Sequence, residues 1–436
     1  MPSETLTLPW GKNEISLELP SPWHLEGVLK PAGMAKQPDP LEETRRSLRE
    51  PIAFPSLEAL AESGMAVTIV IDDDSRPTPV HQMLPPVLDA LEAGGVPREA
   101  ITLITALGVH RPMTEEEIAA RAGPSAFAGL RCVNHDCDDP AVLATLGETS
   151  RGTVVQVNRA VTEADLVVLI GCIEPHLIAS FGGGYKNLIP GVAGRETVGH
   201  NHALNMDAGT FNMVGQPIEN NAMRLDLEEG AKMIGPPVFL VNAVLNSDSE
   251  VVQVVSGDPI EAHRQGVALS ASIYGVRVGS PADVVIASSH PMDQDLRQGV
   301  KALANTIRAV RRGGVQIILL RAEEGLGVFG LAERKMPLGY RGLRFLAPLL
   351  VRAIPRLSMG GMPDDQRFYL YFAIQAMRHC QTIIYAPTIP EDARAGLPFV
   401  AFVDDVQEAV TLAQRRVPVG DVLAFSHGGS TYPILD

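Results

Sequence analysis

The sequence has only four cysteines among its 436 residues, at positions 132, 137, 172 and 380. That number is too small for a disulfide-stabilised scaffold in a chain of this length. The spacing Cys132-x-x-His135-x-Cys137 resembles half of a zinc site. No second pair of ligands completes it, so we interpret these residues as ordinary loop residues.

Long apolar runs and a surplus of basic residues are also missing. No apolar run approaches the roughly 18 residues of a membrane span, and the start, Met1 to Leu6, lacks the basic and apolar segments of an export signal. The formal net charge of -15 argues against non-specific binding to nucleic acid or anionic membranes, which requires clustered cations. We therefore predict a cytoplasmic protein that binds neither nucleic acid nor membrane.

Several common catalytic motifs are absent as well. The segment Gly182 to Asn187 lacks the Gly-Lys-Ser/Thr ending of a P-loop, and neither H-E-x-x-H nor G-x-S-x-G occurs. The segment Gly325 to Gly330 matches G-x-G-x-x-G, but the four residues Arg321 to Glu324 separate it from the preceding apolar run. A dinucleotide fingerprint needs a tight turn from strand to helix, so we do not predict a free dinucleotide there.

What the sequence does contain is an alternation of apolar runs and helical patterns, which predicts an α/β fold with mainly parallel sheets. Strands are predicted over 66–71, 101–106 and 166–170, and again beyond Pro281. The length favours two domains. We predict an N-terminal domain over 1–272 completed by 418–436, and a Rossmann-like domain over 273–417. We expect the active site in the cleft between them.

The most informative stretch follows the apolar run 166–170. Within Glu174 to Lys186 it combines a histidine, His176, with three consecutive glycines and a lysine. Glycines let the backbone approach a ligand closely, and a lysine after them can act as an amine nucleophile. His200 and His202 follow and would share one face of an extended segment, so spacing alone does not say which of them meets a metal.

Spaced motifs along most of the chain, from about Val67 to Ser430, resemble the nickel-pincer lactate racemase family. Lys186 lies ten residues after His176, and His202 lies sixteen residues after Lys186. The motifs that carry the resemblance are Asp73-x-x-Arg76-Pro77-x-Pro79, Gly108-x-His110-Arg111-x-x-Thr114-x-x-Glu117, Glu174-Pro175-His176 to Lys186, Pro190-Gly191, His202 and Gln298-x-x-Lys301.

The resemblance implies an isomerase with a nickel cofactor, the pyridinium-3-thioamide-5-thiocarboxylic acid mononucleotide, which accepts and returns a hydride. It implies that Lys186 carries the cofactor covalently and that His202 is a nickel ligand; sulfur and imidazole donors suit Ni(II). It also implies that His110 and His176 are the paired acid and base, since an unperturbed pKa of about 6.5 permits both roles. Gly182, Gly183 and Gly184 would line the cofactor, and Asp73 would contact a catalytic histidine or a cofactor hydroxyl.

Substrate choice depends on the cations. Arg76 and Lys301, with Gln298, are predicted to hold the carboxylate of a 2-hydroxy acid. Arg297 stands beside Gln298 where the lactate enzymes carry an aromatic residue, and the segment 359–366 lacks the tryptophan expected near the methyl group of lactate. We therefore expect malate before lactate, although Arg297 could instead pair with a helix acid or a cofactor phosphate.

Two other classes of function are compatible with parts of the pattern. A zinc-dependent hydrolase or lyase could use His176 and His202 with a carboxylate. A non-catalytic protein that stores the cofactor would need Lys186 and His202 but not both His110 and His176. The expected partners are a small 2-hydroxy acid and the host proteins that synthesise the cofactor.

Overall fold

The structure is a computed structural model that describes residues 4–35, 39–207, 209–327, 336–356, 362 and 364–435, with only the backbone described at 364 and 365. The strands are β1 Glu4–Trp10, β2 Asn13–Leu19, β3 Trp23–Leu29, β4 Val67–Asp72, β5 Ile101–Ala106, β6 Arg131–Asn134, β7 Leu143–Glu148, β8 Val154–Asn158, β9 Leu166–Ile173, β10 Pro175–His176, β11 Ser180–Phe181, β12 Val238–Leu245, β13 Val251–Gly257, β14 Gly275–Val278, β15 Ala282–Ser288, β16 Val310–Leu319, β17 Gln381–Tyr385, β18 Ala401–Val403, β19 Gly420–Phe425 and β20 Tyr432–Leu435. The helices are α1 Pro40–Arg49, α2 Leu57–Leu60, α3 Val80–Ala93, α4 Glu115–Ala122, α5 Pro124–Phe127, α6 Arg159–Thr162, α7 Arg195–Ala203, α8 Ala222–Ala231, α9 Glu261–Tyr274, α10 Leu296–Gly299, α11 Lys301–Thr306, α12 Tyr340–Ala353, α13 Asp364–His379, α14 Glu391–Arg394 and α15 Val406–Arg416.

The chain divides into two compact units. The first unit comprises residues 33–204 and 216–273. Its six-stranded sheet has the order β13-β12-β9-β4-β5-β6, and all neighbours are parallel except the edge pair β13 and β12. The central strands β4 and β9 are buried along their whole length, as expected of parallel strands that are covered on both faces.

The second unit comprises residues 1–32, 205–215 and 274–436. Its six-stranded sheet has the order β18-β17-β16-β15-β19-β3 and is parallel throughout. Apolar residues of β15, β16 and β19 pack with those of α15 in one core. The two sheets confirm the predicted α/β class.

The unit boundaries differ from the predicted domains at both ends of the chain. Residues 1–32 and 418–436 belong to the second unit, because β3 is its edge strand and pairs with β19. The indole Nε1 of Trp23 also donates a hydrogen bond to the carbonyl of Val417, at 2.8 Å. This pairing joins segments almost 400 residues apart, so no local sequence pattern reveals it.

The helical segment after β15 is shorter than the sequence pattern predicts. The apolar spacing from Leu296 to Arg311 predicts a helix that Gly313 and Gly314 would end, but α11 ends at Thr306 and β16 begins at Val310. Gly313 and Gly314 consequently lie inside β16 rather than at the end of a helix. Among the described residues, none of the helices has the length and hydrophobicity needed to cross a membrane.

Candidate active site

Three neighbouring parallel strands of the first unit end beside one another and deliver the predicted catalytic residues. Asp73 follows β4, the segment containing His110 follows β5, and Glu174 follows β9. The carboxyl ends of the strands are where open α/β sheets bind ligands. Short loops after these strands therefore bring acidic, basic and imidazole groups to one edge of the sheet.

Asp73 and His110 form a close pair at this edge. The Oδ2 atom of Asp73 lies 2.6 Å from Nδ1 of His110, and its Oδ1 atom accepts a 2.5 Å hydrogen bond from the hydroxyl of Ser75. Burial alone would raise the pKa of Asp73. The hydrogen bonds from His110 and Ser75 and the charge of Arg76 outweigh burial and hold that pKa below its usual range. Asp73 is therefore an ionised acceptor that orients the imidazole of His110.

Arg76 is tied to Glu174, the residue that begins the most informative stretch. A guanidinium nitrogen of Arg76 forms an ion pair with the carboxylate of Glu174. The charges of Glu174 and Asp73 raise the pKa of Arg76 despite its burial. The Arg76 guanidinium is thus a fixed cation, and Glu174 neutralises part of its charge.

His176 lies on the short hairpin of β10 and β11. Its Nδ1 atom accepts hydrogen bonds from the backbone amides of Ile178 and Ala179, each at 3.2 Å. Both His110 and His176 belong to the first unit. A carboxylate faces Nδ1 of His110, whereas two backbone amides face Nδ1 of His176.

The three glycines form a loop that is enclosed by buried side chains. Gly183 and Gly184 have φ angles of +71° and +64°, and a Cβ atom on Gly183 would lie 2.4 Å from Oδ1 of Asn242. Arg224 donates two hydrogen bonds of 3.1 Å to the carbonyl of Gly183, and Nε2 of His263 lies 2.8 Å from the carbonyl of Gly182. Only glycine fits the backbone at positions 183 and 184, and the surrounding hydrogen bonds fix the conformation of the loop.

Lys186 follows this loop on a short 3₁₀ turn. Burial, together with the positive charges of Arg76 and Arg224, lowers its pKa to about 7. Among the described residues its ammonium has no hydrogen-bond or ion-pair partner. A lysine in this state is uncharged in a large fraction of molecules at neutral pH, which is the condition for acting as a nucleophile.

The depressed pKa of Lys186 predicts a specific dependence of stability on pH. The pKa of Lys186 is about 7 in the folded chain, whereas an unperturbed lysine has a pKa of 10.5. The unfolded chain therefore binds one more proton than the folded chain between these pH values. The free energy of unfolding therefore rises with pH across that window. We expect Lys186→Met without bound cofactor to exceed the wild-type chain in stability by ~2–4 kcal/mol near pH 6.5, and by less near pH 9.5. Urea unfolding at both pH values measures this difference, and a gain that is independent of pH would contradict it.

His200 and His202 lie on helix α7, and not on the extended segment considered from the sequence. Two residues apart on a helix, they point to different sides. His200 is exposed, and its Nδ1 atom lies 2.8 Å from the hydroxyl of Thr153. Both ring nitrogens of His202 are buried and, in the described part of the chain, have no hydrogen-bond partner. Burial, followed by the charges of Lys186 and His110, lowers the pKa of His202 to about 3.

A neutral imidazole with two unsatisfied nitrogens is costly unless a ligand completes it. His202 is therefore the better metal-ligand candidate of the two. The zinc alternative receives less support. Within the described ranges, no group of three or more His, Cys, Asp or Glu side chains is arranged to hold a metal ion, whereas a catalytic zinc needs three protein ligands. The Nε2 atom of His135 lies 3.0 Å from the carbonyl of Ala193. Cys132 lies on β6, so the prediction that these are loop residues is wrong for Cys132.

The remaining predicted substrate residues belong to the second unit. Arg297 and Gln298 lie on α10, whose first turn is capped by Asp295, and Lys301 begins α11. The Nζ atom of Lys301 lies 3.9 Å from the sulfur of Met292. Of the segment 359–366, residues 359–361 and 363 lie outside the described residues.

Sequence reasoning missed the residues that hold the glycine loop. Arg224 is fully buried in α8 and also pairs with Glu228, and nothing in its local sequence distinguishes it from a surface arginine. Asn242 accepts a 2.8 Å hydrogen bond from the amide of Gly184. The sequence does single out Asn242, because it is the one polar residue in the otherwise apolar strand β12. His263 also supports this loop, through its contact with the carbonyl of Gly182.

Similarity to known proteins is extensive. A family profile described as the lactate racemase N-terminal domain matches residues 10–212. The lactate racemase of Thermoanaerobacterium thermosaccharolyticum is 30% identical over 326 residues, which cover 74% of this chain and 75% of that protein. The lactate racemase of Lactiplantibacillus plantarum is 29% identical over 288 residues, which cover 66% of this chain and 67% of that protein.

Solved structures agree with these sequence matches. The structure of the lactate racemase apoprotein from Thermoanaerobacterium thermosaccharolyticum superposes with a TM-score of 0.84 and 25% identity, over 99% of this chain and all of that one. A protein from Thermotoga maritima superposes with a TM-score of 0.67 and 18% identity, over 92% of this chain and all of that one. The second likeness concerns the fold alone.

Proposed function

Because the chain belongs to the lactate racemase family, we propose that it is an isomerase that inverts C2 of a 2-hydroxy acid. The observation that carries this proposal is the constellation in the first unit. It combines two histidines after parallel strands, a lysine of lowered pKa after a glycine loop, and a histidine whose two buried ring nitrogens have no hydrogen-bond partner among the described residues. In a racemase of this family these groups would transfer the hydroxyl proton, attach the cofactor and bind its metal.

The residues present fit the nickel-pincer nucleotide. Lys186 is an amine able to form a covalent bond, and the ring nitrogens of His202, which have no hydrogen-bond partner among the described residues, could bind nickel. Gly182, Gly183 and Gly184 would line the cofactor, and the last two have a backbone that leaves no space for a side chain. Asp73, as an ionised acceptor, would bind a cofactor hydroxyl in addition to orienting His110. When bound, the cofactor supplies a hydride acceptor and donor that the chain itself lacks.

His110 and His176 would move the hydroxyl proton of the substrate. One imidazole removes the proton as the C2–H bond breaks, which yields a 2-keto acid. The imidazole on the opposite side supplies a proton to the hydroxyl when the hydride returns to the other face of the carbonyl group. Two groups are needed because a single base cannot reach both faces equally.

The substrate carboxylate requires cations. We propose that Arg76, oriented by Glu174, binds it together with Gln298 and Lys301. Partners of the chain would be the 2-hydroxy acid and the host proteins that synthesise the cofactor.

The substrate proposal is tested by racemisation assays on the loaded enzyme with lactate and malate. We expect malate to be preferred, because Arg297 offers a cation to its second carboxylate. Arg297→Met should then lower kcat/KM for malate far more than for lactate, by a differential worth roughly 2–5 kcal/mol. Arg76→Met is the matched control and should impair both substrates, since both have the C1 carboxylate. Equal losses on the two substrates after Arg297→Met would remove the malate preference.

A further inference from the structure

The groups that face Nδ1 of the two catalytic histidines are of opposite kinds. At His110 the group is the ionised carboxylate of Asp73, which can only accept, so Nδ1 of His110 carries the proton. The neutral ring then has its lone pair on Nε2. At His176 the groups are two backbone amides, which can only donate. Nδ1 of His176 is therefore the acceptor, and the neutral ring carries its proton on Nε2.

The turn that provides these amides is fixed by a buried asparagine. Asn221 is fully buried, and its amide nitrogen donates to the carbonyl of Ile178 at 2.8 Å and to the hydroxyl of Ser180 at 2.9 Å. Its side-chain oxygen caps α8 by accepting from the amide of Arg224 at 3.0 Å. Ser180 has a left-handed φ of +64°, a conformation that a serine keeps only where its surroundings determine it.

From this geometry we infer that the two catalytic histidines rest in opposite tautomers, with His110 as the proton acceptor and His176 as the proton donor, and that Asn221 is the positioning residue that fixes the tautomer of His176. The consequence of these tautomers for catalysis rests on the proposed function. The resting enzyme is prepared to oxidise the enantiomer whose hydroxyl faces His110. The other enantiomer requires the proton of His176 to move first.

The tautomers are measured directly on the full chain without cofactor. Long-range ¹H–¹⁵N correlation spectra of histidine-labelled protein, at a pH where the imidazoles are neutral, distinguish a protonated from an unprotonated ring nitrogen. The spectra of His110→Gln and His176→Gln assign the two rings. We expect the proton on Nδ1 of His110 and on Nε2 of His176. The same tautomer in both rings, or a mixture at His176, would overturn the inference.

Asn221→Ala tests the positioning role. Without the asparagine the turn loosens, so we expect His176 to become a mixture of tautomers while the signals of His110 stay unchanged. Asn158→Ala is the matched control, because Asn158 is also a buried cap, with its oxygen on the amide of Ala160 and its nitrogen 3.3 Å from Nδ1 of His135. That variant should leave His176 unaltered. An unchanged His176 tautomer in folded Asn221→Ala protein would refute the role of Asn221.

A separate measurement on the loaded enzyme tests the consequence. Rapid quenching of the first turnover should show faster formation of the 2-keto acid from one enantiomer than from the other. Equal first-turnover rates for the two enantiomers would overturn the inference that the resting enzyme is prepared to oxidise one of them. Complete absence of racemisation, with both tautomers as stated, would remove the proposed function and leave the tautomer assignment in place.

Discussion

Lys186→Ala is expected to abolish the covalent adduct and the racemase activity together. The reason is that Lys186 is the amine that follows the glycine loop, and its pKa of about 7 leaves a large fraction of it neutral and nucleophilic at neutral pH. Mass spectrometry of the peptide that contains residue 186, from protein made in a host that synthesises the cofactor, measures the adduct. Lys232→Ala, which removes an exposed lysine of the same unit, is the control and should leave both unchanged.

His202→Ala separates attachment from metal binding. It should lower the nickel content while the adduct on Lys186 persists, whereas His200→Ala should retain both because His200 faces Thr153. Fully active wild-type enzyme with an unmodified Lys186 peptide would contradict the assignment of Lys186.

The second large effect concerns the histidine pair. His110→Ala and His176→Ala should each lower kcat/KM by roughly 10²–10⁴-fold, the usual contribution of a positioned acid or base. The loss should be equal in both directions, because the equilibrium constant between two enantiomers is one and fixes the ratio of the two kcat/KM values. Racemisation followed from each pure enantiomer by chiral separation measures both directions. His24→Ala, at an exposed position of β3, is the control. Retained turnover in either histidine variant would show that the mechanism does not need two imidazoles.

Local sequence patterns predicted the parts of the fold that local physics determines. The apolar runs of β4, β5 and β9 are continuous because both faces of the sheet are buried, and the polar residues after them mark the ligand-binding edge. The motif Thr114-x-x-Glu117 proved to be a capping box that begins α4, so part of the family pattern is structural.

Other features depend on contacts that sequence spacing does not encode. The N-terminal strand β3 joins the second unit through pairing with β19, far away in the chain. The support of the glycine loop by Arg224 and the contact of Asn221 with the turn after His176 arise from tertiary packing. The difference between His200 and His202 required the helix to be known, because the two residues point apart on α7.

We expect the α-hydrogen of the substrate to leave C2 as a hydride and to return to the same carbon. Racemisation of a 2-hydroxy acid deuterated at C2, carried out by the loaded enzyme in ordinary water and followed by mass spectrometry, tests this hydride transfer most directly. If the hydride is held by a bound cofactor and does not exchange with solvent, both enantiomers at equilibrium should retain the label. Loss of deuterium to solvent at the rate of racemisation would contradict the account and would indicate proton abstraction from carbon by a protein base.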